Sequence, residues 1–408
     1  MLNGCRALDL TGENGFLCGK ILADLGVDVI KVEKPGGDPA RRRGPFWADA
    51  PHPEKSLYWF AYNSNKRGIT LNIEADKGKE ILKKLVKTAD FIIESFPPGF
   101  MDSLGLGYSA LNSIKKGIIL TSITPFGQAG PYKDYQASDI VIMGMAGILY
   151  QTGDPDRPPV QISLPQACLH AGADAAVATM IAYYHREMSG EGQQVDISMQ
   201  QSAAWFLANA IPLWELSGVA LKRAGAFRWT VNSTQRQVWQ CQDGYVFFFM
   251  VGGRAGAKSF HELVSWMDSQ GMTNEYLRSV DWENLDMFKV SQDVVDQISQ
   301  PIEKFFLAHT KKEIAQGAAE RSISICPLSS MADLMNDGQL ESRNFWMEIE
   351  HPEFNTQITY PREFVKSSQE TCATRFRAPL TGEHNGEIYG QIGLSKKELV
   401  ALKQAWII

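Results

Sequence analysis

The sequence predicts an α/β protein whose first half is built on an open parallel sheet, followed by a smaller domain of different character. Three observations carry this. Short apolar runs alternate with stretches of helical periodicity through the first 200 residues, the pattern of strands joined by crossover helices. The first such unit is complete by Glu33. After Leu221 the pattern shifts to a hairpin followed by helices.

Residues 7–10 read as a buried strand, followed by the loop Thr11-Gly12-Glu13-Asn14-Gly15. Helical periodicity over 16–25 stops at Gly26, and residues 29–32 form a second strand ending in Glu33. This β-α-β unit implies a right-handed crossover between parallel strands. Residues 75–89 form a lysine-rich amphipathic helix, and 91–93 and 118–123 are strand-like. Ligands in such sheets bind at the carboxyl ends of the strands, here the loops after Leu10, Glu33, Phe96 and Thr124. Residues 167–186 are an alanine-rich helix, 194–199 a strand and 202–216 a further helix. Beyond Leu221, Val238-Trp239-Gln240 and residues 245–249 are strands joined at Asp243-Gly244, a hairpin signal. Helical segments follow from Lys258 to about Leu334, residues 346–365 alternate and contain prolines, and 396–406 form a last helix.

The 408 residues give room for two domains, and 44% hydrophobic with 21% charged residues is the profile of a globular protein. A net charge of -6 with both signs dispersed gives no basic face for nucleic acid. The one basic run, Arg41-Arg42-Arg43, reads as a solvated loop or as a contact for a polyphosphate. The six cysteines never form a C-x-x-C pair, which argues against a zinc ribbon or disulfide framework and fits a reducing cytoplasm. No metal is expected. The start MLNGCRALDL lacks the pattern of a signal peptide, and no apolar run approaches the ~20 residues of a membrane span.

The first loop and Glu33 imitate a dinucleotide site, but the G-x-G-x-x-G spacing is absent. Ser198 has no flanking glycine to make a nucleophile elbow, and neither an H-E-x-x-H motif nor a P-loop is present. His185-Arg186-Glu187 ends the alanine-rich helix, where a cation suits the helix dipole.

Several runs, in order over nearly the whole chain, resemble the class III CoA-transferases, the family of the formyl-CoA, carnitine and benzylsuccinate CoA-transferases. They are residues 21–26 leading to 29–33, Asn65-Lys66-Arg67 before Ile69-Thr70-Leu71, residues 94–99 with 104–108, and residues 126–132. His185-Arg186-Glu187 through Gly190 and Gly192 into residues 195–198, and residues 379–384, complete the series.

The resemblance implies an open Rossmann-like sheet in a large discontinuous domain, residues 1–205 with 340–408, and a small α+β domain at 225–330. Residues 206–224 and 331–339 would connect them, and two chains would interlock as a dimer. It also implies a chemistry in which an aspartate attacks an acyl-CoA, giving an anhydride and then an aspartyl-CoA thioester. Counting from the turn Gly153-Asp154-Pro155-Asp156-Arg157-Pro158-Pro159 and back from Arg186, that aspartate's position is Cys168. Positions matching the family's CoA contacts are Lys34, Leu71, Ser95, Phe96 and Met199. Ser95 replaces a common asparagine, Ser103 an arginine and Gln136 a lysine, while Gly15-Phe16-Leu17 replaces an A-G-P turn. Arg228 and Trp229 fall where relatives carry a glycine-rich loop, and are expected to face an acceptor or to pack a domain junction.

The resemblance therefore implies a subunit without the nucleophile, partnered by a homologous aspartate-bearing chain. The benzylsuccinate CoA-transferases of anaerobic toluene degradation are built in this way. CoA thioesters would be substrates, with no permanently bound cofactor. The alternatives are an active transferase using Cys168 or Asp174, and a non-catalytic CoA-ester binding protein.

Overall fold

The computed structural model describes residues 1–370 and 372–408. The chain divides into two units: Met1–Leu149, Gln161–Val219 and Gln339–Ile408 form the first, and Tyr150–Val160 with Ala220–Gly338 the second.

The first unit is organised by six parallel strands: β1 (Arg6–Leu10), β2 (Asp28–Glu33), β3 (Arg67–Thr70), β4 (Phe91–Glu94), β5 (Ile119–Thr124) and β6 (Gln194–Ser198). Their order is β3-β2-β1-β4-β5-β6, so the winding reverses between β1 and β4. The helices are α1 (Phe16–Asp24), α2 (Leu57–Asn63), α3 (Asp76–Val86), α4 (Phe100–Ser103), α5 (Tyr108–Ile114), α6 (Asp139–Met145), α7 (Gln166–Ser189), α8 (Met199–Trp205) and α9 (Ala210–Ser217).

Strand side chains alternate between two cores, as the period of two requires. Ala7, Val29, Phe91 and Ile93 join α1 and α7 on one face. Leu8, Leu10, Ile30 and Ile92 join α3 on the other, with Ile388, Tyr389 and Leu402 from the C-terminal segment. Both faces are thus covered, which is why the strands read as near-continuous apolar runs. The small residues of α7 let it lie close to α1: a Cβ on Gly172 would sit 2.8 Å from the Leu17 Cβ. No helix is long and apolar enough to cross a membrane among the described residues.

Two elements differ from the sequence expectation. The single helix expected over 202–216 is two helices, broken at residues 206–209. Pro212 lies in the first turn of α9, where it lacks an N–H and clashes with any preceding helical turn. Met199, expected to end a strand, instead starts α8, because Ser198 caps that helix by accepting from the Gln201 N–H at 3.3 Å.

The second unit holds the hairpin β7 (Phe227–Trp229) with β8 (Thr234–Arg236), and a three-stranded antiparallel sheet. That sheet contains β9 (Val238–Cys241), β10 (Gly244–Phe248) and β11 (Ile325–Pro327). With α10 (Gly253–Ser269), α11 (Glu275–Ser279), α12 (Gln292–Leu307) and α13 (Lys311–Arg321), they enclose a core around Trp239, Phe248, Phe260, Trp282 and Phe305. Residues 150–160, which the sequence reading places in the large domain, cluster with this unit. The cause is local: Arg223 Nε donates to the carbonyls of Asp154 and Arg157, each at 3.0 Å, and Gly225 N donates to Gly153 O at 2.9 Å.

Candidate functional site

The loops after β1 and β4 meet where the strand order reverses, the usual ligand position of an open α/β sheet. Asp9, near the end of β1, accepts through Oδ1 from the Thr11 N–H (3.0 Å) and hydroxyl (2.6 Å). Gly12 N–H donates to Ser95 Oγ at 2.8 Å, tying the two loops together. The turn closes at Gly15, where a Cβ would lie 2.5 Å from Thr11 Cγ2. This compact turn brings the Asn14 side chain to α7.

At the start of α7, Cys168 is 5% exposed. Its Sγ lies 3.5 Å from Asn14 Oδ1, to which the thiol donates. The helix cap Pro165 supplies no side-chain bond. Asp139, the first residue of α6, substitutes from outside the helix: its Oδ1 accepts from Ala167 N (2.8 Å) and Cys168 N (3.4 Å). The other Asp139 oxygen, Oδ2, is buried without a hydrogen-bond partner.

Burial, and then the Asp139 carboxylate, push the Cys168 thiol up to about 12, with the Arg43 guanidinium opposing them. At pH 7 only about one thiol in 10⁵ would be ionised, so Cys168 is a poor nucleophile. Tyr58 and Tyr62 complete the corner, their rings 4.9 Å apart and tilted. Burial raises both phenols, with Arg43 opposing. Arg43 lies 4.3 Å over the Tyr58 ring and pairs with Glu13.

The positions matched to CoA contacts lie at the carboxyl end of the sheet, because each comes within two residues of a strand end. Lys34 follows β2, Leu71 follows β3, Ser95 follows β4 and Met199 follows β6. Lys34 pairs with Glu74 at the surface. Leu71 is buried and its N–H donates to Glu33 O at 2.7 Å, while Met199 is also buried. Phe96 N–H donates to Glu94 Oε2 at 2.7 Å, and its ring is 4.7 Å from Phe100. Glu94 itself is buried, and burial raises its carboxyl to about 7 against the Ser122 and Phe96 hydrogen bonds. Ser103 uses its hydroxyl on Phe100 O at 2.7 Å, and Gln136 is exposed.

Asp174 lies on the exposed side of α7, whereas Cys168 faces the core. In the second unit, Arg228 is engaged internally. Its Nε donates to Gln235 Oε1 at 3.0 Å and its Nη2 to Met250 O at 2.8 Å, and the guanidinium lies 3.9 Å over Phe249. Trp229 beside it is 55% exposed. Among the described residues, no group of three or more histidine, cysteine or acidic side chains is placed to hold a metal ion.

Sequence reasoning missed Asn14, Tyr58, Tyr62 and Asp139 as site residues. Only Asn14, in the first strand-end loop, carried a signal. Tyr58, Tyr62 and Asp139 lie in stretches to which the sequence reading assigned no element.

Comparison with known proteins places this chain in a family. The sequence matches CoA-transferase family III over residues 2–385. It is 32% identical to "Succinyl-CoA:(R)-benzylsuccinate CoA-transferase subunit BbsE" of Thauera aromatica, over 97% of this chain and 95% of that protein. It is 26% identical to the succinyl-CoA–D-citramalate CoA-transferase of Chloroflexus aurantiacus, over 97% and 94%. The crystal structure of a CaiB/BaiF family protein from Brucella suis superposes with a TM-score of 0.80 at 27% identity, covering 96% of this chain and 99% of that one. With the family match spanning almost the whole sequence, the chain belongs to CoA-transferase family III.

Proposed function

We propose that this chain is the nucleophile-lacking subunit of a heteromeric CoA-transferase, and that a homologous chain interlocked with it supplies the aspartate. The enzyme would move CoA from a donor such as succinyl-CoA to a carboxylic acid such as benzylsuccinate. The observation that carries this reading is the state of position 168: a buried, protonated thiol bonded to Asn14, where the family's chemistry needs a carboxylate. A thiol cannot form the acyl anhydride, and a neutral thiol attacks a thioester slowly. The relative in Thauera aromatica is named as a subunit and as a benzylsuccinate transferase, which supports both the partner and the acceptor class.

The test is a transfer assay with succinyl-CoA and candidate acids. The purified chain alone should give no turnover, and the chain reconstituted with an aspartate-bearing partner should turn over. Cys168→Ala in that heteromer should leave kcat unchanged. Turnover by the single chain would overturn the reading; its loss in Cys168→Ala would then indicate a thiol mechanism, and its loss in Asp174→Ala a displaced aspartate.

A further inference from the structure

Glu94 is an acid buried where the fold offers it no cation. It ends β4, and the strand register sets it in one row across the sheet. Leu10 of β1 stands on one side, Ser122 of β5 on the other and Asp196 of β6 beyond. The residue is 4% exposed. The charged groups that act on it, Asp196 on β6 and Asp102 on α4, are both acids. Among the described residues no lysine, arginine or histidine pairs with it.

The same side chain braces the loop above it. Its Oε2 accepts from the Phe96 N–H at 2.7 Å. Ser95, the next residue, accepts from the Gly12 N–H at 2.8 Å, and the Phe96 ring lies 4.7 Å from Phe100. Glu94 therefore holds the β4 loop from below at the reversal of strand order, where an open sheet takes its ligand.

A buried carboxylate with acidic neighbours is less favourable than a neutral carboxyl. Burial, with Asp196 and Asp102 adding to it and the Ser122 and Phe96 hydrogen bonds opposing, pushes Glu94 up to about 7. In the neutral form Oε2 still accepts from Phe96 while the other oxygen carries the proton. The ionised form joins Asp102 and Asp196 as a third negative charge beneath the loop. A buried charge is poorly screened by salt and repels an anion held there.

Resting on the reading above, we propose that Glu94 is a positioning residue for CoA thioesters at the β1 and β4 loops. It serves only as the neutral carboxyl, so this subunit loses its polyanionic ligand as Glu94 gives up its proton. Binding is then strongest at acidic pH and weakens as pH rises through neutrality.

Equilibrium binding of succinyl-CoA to the purified full chain, at fixed ionic strength from pH 6 to 8.5, tests this. The Kd should rise about ten-fold across that range, within the limit of ten-fold per pH unit for one linked proton. Glu94→Gln, a permanently neutral match in shape, should bind as the wild type does at pH 6 and lose this rise. Titration of the ligand's own phosphate is common to both proteins and cancels. Asp102→Asn, at an exposed residue, should move the onset of weakening to lower pH, since removing an acid lets Glu94 ionise more readily. A purely structural role would weaken binding in Glu94→Gln equally at every pH. That outcome, a pH profile shared by wild type and Glu94→Gln, or no binding of succinyl-CoA at any pH would overturn the proposal. Failure of the subunit reading shows separately, as turnover by the single chain in the transfer assay.

Discussion

Two polar clusters of the large unit use the same kinds of side chain to opposite ends. Around Asp9, every charge is buried and engaged. Lys66 Nζ bonds Asp9 Oδ2, Phe16 O and Asn63 Oδ1, each at 2.9 Å, and Lys31 lies 3.5 Å from Asp9 Oδ1. Burial alone would raise the Asp9 carboxyl, but Lys31, Lys66 and the Thr11 hydroxyl together bring it below its usual range. Around Cys168, by contrast, one Asp139 oxygen lacks a partner and Arg43 remains partly in solvent. A saturated network holds strands and loops in register; an unsaturated one has capacity left for a ligand.

The largest effect that tests this contrast should come from Lys66→Met. It leaves Asp9 buried without its nearest cation, at a cost of about 3–5 kcal/mol in unfolding free energy, measured by urea denaturation. A loss below about 1 kcal/mol would break the distinction.

Glu94 comes next. Its folded carboxyl titrates at about 7 against an ordinary 4.5, so the folded state holds a proton that the unfolded state has released. Its stabilising contribution is complete below pH 4.5 and is lost as pH rises through 7, amounting to about 3 kcal/mol. Glu94→Gln should remove this part of the slope between pH 5 and 8 in parallel unfolding curves.

Asp139→Asn keeps one acceptor for the α7 amides but removes the charge. It should cost about 1 kcal/mol and should lower the Cys168 titration midpoint, measurable as faster thiol alkylation at pH 9. An unchanged alkylation rate would mean that burial alone governs the thiol. The smallest effect is expected at Lys34→Ala, whose exposed pair with Glu74 is worth within about 1 kcal/mol.

Much of this is legible in the sequence. The β-α-β start, the lysine-rich helix and the strand-end loops follow from periodicity, which depends only on neighbouring residues. Arg186, read as a cation suiting a helix end, does lie in the last turn of α7, and there also donates to the Gly117 carbonyl at 3.4 Å. The break before α9 was missed, although Pro212 acts on the turn that precedes it.

What the sequence by itself determined is the sheet scaffold and the family. These are properties of residue identity and order along the chain. Only the tertiary structure decided that Arg41 is buried and saturated by Glu33, Glu54 and the Pro379 carbonyl, while Arg43, two residues on, faces the Cys168 corner. It also decided that Asp139 caps α7 from 28 residues before Ala167. Both outcomes depend on which loops the crossovers bring together. Burial and long-range hydrogen bonds, which set the thiol's protonation and leave one carboxylate oxygen free, have no signature in local order.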